Sequence, residues 1–392
     1  MVPTHESIDA YEHSSCDYFN QGLCGSCALL KTPQGHRLAT KRNRLQADLA
    51  RHGLSDTTCG DLIIPRRPWS SRRKIKLAVT GTTSEPRIGI VRRDLSSQDL
   101  CECPLQPEPI QDLLRALRRS ITSLEITPYN IAERTGALKY IVIMANADMS
   151  EAILRFVLRS SDSIEVIRRL APSLQIEFPW IRVVSCNIQP IPAAIIEGPE
   201  EIAITSETCI EERYGTTPLF FSAQSFMQVT PEIAALLYSY VAQWASPFGF
   251  KEALDLFCGV GGFSLHLAPI VGSVTGVELS PSAIASASRS SNRLAFGNTS
   301  FISCDVEAYL NTTNLTPDLM VVNPPRRGLS QSILEQIVAI NPAAIAYSSC
   351  DTETFSRDAA ILRRHYTLTM VQPFDMFPLT NHCEVVGTFV RR

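Results

Sequence analysis

The pattern of apolar and polar positions changes character along the chain. Residues 1–15 are polar and aperiodic and read as a loose tail, and residues 16–30 place three cysteines in a short glycine-containing loop. A helical period then predicts a helix over 38–51, with Leu45 and Leu49 on one face and basic residues on others. Strand-like runs at 75–80 and 86–92 are joined by a Gly/Ser/Thr turn, and prolines from Pro104 to Pro109 break the chain before a helix near 111–121. The middle third mixes strands (139–144, 152–158, 181–185) with a helix near 163–170, an α+β pattern.

From about residue 218 the pattern becomes regular. A helix over 231–244 precedes a strand at 253–257, a glycine loop and another helix. Further strands are expected at 273–278, 300–304, 319–322, 344–348 and 368–374. Such alternation predicts an α/β fold with a doubly wound, mostly parallel sheet. Three units follow: a cysteine-rich region with a helix (1–70), a central α+β domain (71–215) and the C-terminal α/β domain (216–392). No internal repeat or low-complexity segment interrupts them.

Composition narrows the setting. At 392 residues the chain exceeds one ordinary domain, and its apolar and charged fractions are those of a soluble globular protein. No apolar run is long enough to span a bilayer and the N-terminus is unlike a signal peptide, so a cytoplasmic protein without membrane contact is expected. Thiols there stay reduced, which turns the twelve cysteines towards metal ligation, catalysis or burial. A net charge of −3 argues weakly against a nucleic-acid partner. Between 66 and 93, however, nine Arg and Lys residues face one acid, Glu85. Such a stretch can track phosphates, although an isolated charge run is more often a solvated face.

Candidate chemistry begins at DLFCGVGGF (255–263), where Gly259, Gly261 and Gly262 follow a strand end. Glycines there let the backbone approach a ligand. The tight GVGG differs from the spaced GxGxxG that cradles pyrophosphate, and S-adenosylmethionine carries no pyrophosphate. Glu278 ends the next strand, where a carboxylate can accept from both ribose hydroxyls, and Asp305 is a looser candidate for the adenine. Asn323 opens NPPRRG, similar to the NPPY loop of amino-methyltransferases but with Arg326 where those stack a base on an aromatic ring.

Two further segments suit chemistry on a pyrimidine. Cys350 lies in AYSSCDTETFSRD among polar neighbours at a strand end, and Glu384 lies in FDMFPLTNHCEVV. A lone cysteine is more often a small buried hydrophobe, which accounts for Cys186, Cys209, Cys258 and Cys304. Methylating carbon 5 of uracil requires a thiolate at carbon 6 and a base for the carbon-5 proton.

DLFCGVGGF, VVNPPRRG, YSSCDTETFSRD and FDMFPLTNHCEVV together resemble, in order and spacing, the motifs of the RNA uracil-5-methyltransferases. Upstream, DLCECPL, TPYNIAERTGALKYI, NIQPIPAAIIEG and QSFMQVTP resemble the branch that acts on bacterial 23S ribosomal RNA and lacks a TRAM domain. The resemblance covers nearly the whole chain. It implies a Rossmann-like S-adenosylmethionine domain, Cys350 as nucleophile and Glu384 as general base. It implies donor binding by Gln228, Phe257, Glu278 and Asn323, and 23S ribosomal RNA as partner, with no obligate protein partner evident. Many relatives carry Asp at the Asn323 position; asparagine can hydrogen-bond but not act as a carboxylate. Cys383 stands where relatives often have Tyr, which alters the wall beside Glu384.

Cys16, Cys24 and Cys27 are spaced Cys-x7-Cys-x2-Cys, with Cys101 and Cys103 far downstream. Spacing alone allows a structural zinc or a [4Fe–4S] cluster. The resemblance implies the cluster, held by Cys16, Cys24, Cys27 and Cys103. The rival readings are the same chemistry on transfer RNA, a DNA cytosine-5 methyltransferase, and a non-catalytic RNA-binding iron–sulfur protein. The DNA enzymes place Pro-Cys where this chain reads Asn-Pro-Pro-Arg.

Overall fold

The computed structural model describes residues 16–192 and 195–392. Among the described residues, nine strands precede the second large sheet. They are β1 (Lys74–Gly81), β2 (Pro86–Val91), β3 (Ser97–Asp99), β4 (Leu138–Ala145), β5 (Ala152–Leu158), β6 (Ile181–Ile188), β7 (Glu200–Ala203), β8 (Cys209–Tyr214) and β9 (Thr217–Ser222). The first seven form one sheet in the order β3-β2-β1-β4-β5-β6-β7, antiparallel except at β5–β6. That parallel pair needs a crossover, supplied by the helix Ile164–Glu177. The helix Glu108–Ser123 carries Pro109 in its first turn and buries Ile110, Leu113, Leu114 and Leu117 against the sheet, an i, i+3, i+4, i+7 stripe.

The second sheet comprises β10 (Glu252–Leu256), β11 (Ser273–Glu278), β12 (Thr299–Ser303), β13 (Leu319–Val322), β14 (Ala344–Ser349), β15 (Tyr366–Phe374) and β16 (Glu384–Arg391). Its order is β12-β11-β10-β13-β14-β16-β15. The strands β10 to β14 are parallel, while β16 runs antiparallel between β14 and β15. The order reverses beside β10, so a ligand crevice opens at the carboxyl ends of β10, β11 and β13. The expected doubly wound α/β sheet is present, and most expected elements differ only at their ends.

Two segments pack differently from the linear partition. The helix Gln34–Arg51 buries Leu45 and Leu49 in the core of the second sheet, beside the helix Thr352–Leu362. The β8–β9 hairpin joins Ile210, Tyr214 and Leu219 to a core reaching from Met144 to Val386. It is the apolar joint between the sheets. Among the described residues no helix is long and apolar enough to cross a membrane.

Candidate active site

The donor side is built from local backbone geometry. Phe257 at the end of β10 has φ +61, and Gly259 and Gly261 have φ +54 and +84. Three left-handed residues within five positions fold the chain back sharply after the strand. A Cβ on Gly262 would lie 2.5 Å from the Tyr238 ring, and one on Gly276 would lie 2.7 Å from Phe301. Glu278 closes the crevice from β11: its carboxylate accepts from the Gly259 N–H (3.3 Å) and the Ser280 N–H (2.9 Å). The main-chain N–H of Asn323 donates to the Leu256 carbonyl (3.3 Å), fixing the NPPRRG loop beside the glycines. Gln228 is buried in the segment between β9 and the helix Pro231–Ala245. Asp305 caps the helix Val306–Thr312 by accepting from the Ala308 N–H (3.0 Å), because a carboxylate at a helix start satisfies its free amides.

Sequence reasoning passed over Asp255. It is wholly buried, accepts from the Ser264 N–H (2.9 Å) and hydroxyl (2.6 Å), and leaves Oδ1 without a partner among the described residues. Burial pushes its carboxyl up to about 7. The signal was its place at the head of DLFCG.

The acceptor side is built by strand register. Ser349 pairs with Val385 across β14 and β16, and continuing that ladder by one step sets Cys350 opposite Glu384. Glu384 is 2% exposed, and Ser348 donates to its Oε1 at 2.7 Å. Burial pushes the Glu384 carboxyl up to about 7, with the Ser348 hydrogen bond pulling back only in part. Burial also raises the half-buried Cys350 thiol to about 11, the Glu384 charge adds to this, and the Arg326 guanidinium opposes it. Arg326 donates to Asp351 Oδ2 (3.4 Å), while Asp351 caps the helix Thr352–Leu362 through the Glu353 and Thr354 amides. The thiol thus sits one residue before a capped helix start. Ser348 was passed over as a partner of Glu384, although it stands on β14 two positions before Cys350.

Cys16, Cys24, Cys27 and Cys103 border one cavity of about 480 Å³. Burial lifts the Cys27 thiol to about 12, and Cys103, Cys24 and Cys16 add to the rise. Cys101 belongs instead to the central core and donates to Asp99 Oδ2 at 3.5 Å. Among the described residues, no three His, Cys, Asp or Glu side chains close on a single-ion position. The Arg92 guanidinium donates to the Gly22 and Leu23 carbonyls, fastening the cysteine loop to the central sheet.

The basic stretch divides. Lys74 is drawn inward and donates to the Ser225 carbonyl (2.7 Å), with burial lowering its ammonium to about 8. Lys76 pairs with Glu197 (2.5 Å), and Arg73 donates to the Ser70 (2.6 Å) and Ala147 carbonyls. Arg67, Arg72, Arg87 and Arg93 remain exposed.

A family model described as tRNA (Uracil-5-)-methyltransferase matches residues 216–392. The chain is 41% identical over 378 residues to the 23S rRNA (uracil(747)-C(5))-methyltransferase RlmC of Shewanella oneidensis, covering 96% of this chain and 98% of that protein. It is 38% identical over 376 residues to the protein of the same name from Edwardsiella ictaluri, covering 96% and 99%. Its fold matches that of the Pyrococcus abyssi tRNA (uracil-54, C5)-methyltransferase in complex with S-adenosyl-L-homocysteine. That match has a TM-score of 0.77 and 23% identity, covering 93% of this chain and 85% of the other. At that identity the likeness is one of fold.

Proposed function

Because the chain belongs to the tRNA (uracil-5-)-methyltransferase family, we propose that it moves a methyl group from S-adenosylmethionine to carbon 5 of one uridine in 23S ribosomal RNA. The product is 5-methyluridine. The observation that carries this reading is the buried Glu384 at the head of β16, which accepts from Ser348 two residues before Cys350 and acts on the Cys350 thiol, beside the glycine crevice.

The Cys350 thiolate adds to carbon 6 and makes carbon 5 nucleophilic. Carbon 5 takes the donor methyl, the Glu384 carboxylate removes the carbon-5 proton, and Cys350 leaves carbon 6. A carboxyl near 7 suits that task, being half ionised at neutral pH and basic enough to accept a proton. Gln228, Phe257, Glu278 and Asn323 hold the donor. The left-handed turn and the two amides on Glu278 support this by leaving a backbone-walled crevice with a carboxylate at its rim. The uridine must leave its stack to reach Cys350, and the exposed arginines hold nearby phosphates.

Cys16, Cys24, Cys27 and Cys103 would hold a [4Fe–4S] cluster, which supplies a redox-capable cross-link between the N-terminal loop and the central domain. What supports this reading is that the four thiols border one cavity and that Cys103, Cys24 and Cys16 all act on the Cys27 thiol. A ribosomal substrate implies a cytoplasmic location. Transfer RNA is the second reading, and the near-full-length likeness to proteins named for 23S rRNA favours the first. Mapping 5-methyluridine in ribosomal and transfer RNA from cells with and without the gene tests the choice. One 23S position should lose its methyl group; loss only from transfer RNA would overturn the ribosomal assignment.

A further inference from the structure

Cys350 and Glu384 must keep a fixed spacing across a uracil ring, yet each borders a segment outside the regular sheet. Both segments are gripped by the helix Gln34–Arg51. Lys41 is 1% exposed; its ammonium pairs with Asp375 and donates to the Phe377 carbonyl at 2.8 Å, in the loop running into Glu384. Asp48 is equally buried and accepts from the Thr352 hydroxyl, two residues beyond Cys350. Lys41 and Asp48 are seven positions apart, so they share a face about 10.5 Å apart along the axis.

Leu45 seats that face in the catalytic core, and Arg44 donates to the Asn381 carbonyl (3.4 Å) in the base loop. On the nucleophile side Arg51 pairs with Asp48 and Glu353, and His52 shares Glu353 at 2.9 Å. A leucine at position 41 could fill space without the penalty of burying a charge. A buried lysine instead gives direction, holding one carboxylate and one carbonyl in fixed places.

We propose that Lys41 and Asp48 are positioning residues for methyl transfer, with the helix as the rigid bar that sets the spacing between nucleophile and base. Asp48 fixes the turn that aims Cys350, and Lys41 fixes the loop that aims Glu384. The loop running into Glu384 also touches the cysteine loop, since the Leu29 N–H donates to the Leu379 carbonyl at 3.1 Å. The inference rests on the roles given above to Cys350 and Glu384.

Because the two residues hold different groups, their loss should leave different marks. Single turnovers on 23S RNA transcripts, followed on denaturing gels, report both formation and decay of the protein–RNA adduct. In Lys41→Met, proton transfer from carbon 5 to Glu384 slows. The C6–S bond then breaks late, the adduct persists, and product formation falls on the order of 10²-fold. Lys41→Arg should recover part of the rate. In Asp48→Ala, thiolate addition slows, so little adduct forms and none persists. The KM for RNA and the calorimetric Kd for S-adenosylmethionine should hold in both, and Arg42→Ala, on an exposed pair of the same helix, should behave as wild type.

Equal rate losses with one adduct profile, or lower Tm with wild-type kcat at permissive temperature, would overturn the proposal. Should Lys41→Met not fold, Asp375→Asn reads the same step. Glu384→Gln separates the two levels of the argument. If it accumulates no adduct, the catalytic assignment fails; if it does while Lys41→Met and Asp375→Asn turn over normally, the positioning role fails.

Discussion

The donor side and the acceptor side of the cleft are made by different means. The donor crevice is local: one turn after β10, with Phe257, Gly259 and Gly261 in left-handed conformations, and one carboxylate at the end of β11. The proposed acceptor side is topological: β16 enters antiparallel beside β14, which brings Ser349, next to Cys350, against Val385, next to Glu384. A turn of this kind tolerates changes far away and fails at single atoms. A register-built pair depends on what holds the two strand ends.

The largest effect should come from removing one side and leaving the other. Cys350→Ala should abolish 5-methyluridine formation while calorimetry still finds donor binding. Gly262→Val, which drives a Cβ into the Tyr238 ring, should abolish donor binding without disturbing the β14–β16 pair. Gly261→Ala is milder: a left-handed alanine costs roughly 1–2 kcal/mol, a fall of about tenfold in donor affinity.

The same contrast explains what the sequence made legible. DLFCGVGGF, Glu278 and Cys350 are contiguous or strand-end signals, so the glycine crevice was readable from spacing, and Cys350 stood out as a candidate thiol among polar neighbours. The facing of Cys350 and Glu384 was not readable, because nothing local says that the last strand inserts antiparallel beside β14. Lys41 and Asp48 read as polar residues on an ordinary amphipathic helix, and only packing against the catalytic domain reveals them as buried. The basic stretch misled in the other direction. Lys74, Lys76 and Arg73 are spent on internal partners, so fewer charges face RNA than their density suggests.

Acid–base behaviour sharpens the comparison next. Activity should rise as pH passes about 7, where Glu384 ionises, and keep rising into the alkaline range because the Cys350 thiol lies at about 11. Ser348→Ala removes the hydrogen bond that favours the carboxylate and should move the lower limb alkaline by on the order of one unit. A single-turnover pH–rate profile reads both limbs.

Stability carries the opposite sign. The folded Glu384 pKa is raised, so its contribution is full below the ordinary carboxylate range and is lost as pH climbs through about 7. Glu384→Gln should therefore be the more stable protein at pH 8, by on the order of 1–3 kcal/mol in chemical denaturation. The smallest effect belongs to the RNA surface. Replacing Arg87 or Arg93 with Ala should lower the salt slope of RNA affinity by about one for each phosphate left unneutralised, with kcat unchanged.

The central claim is that Cys350 attacks carbon 6 and Glu384 releases it. Glu384→Gln, incubated with S-adenosylmethionine and 23S ribosomal RNA, tests this on a denaturing gel with peptide mass analysis. The account predicts a donor-dependent adduct joining Cys350 to an already methylated uridine, absent from the Cys350→Ala, Glu384→Gln double variant. No adduct, or one attached to another cysteine, would contradict it.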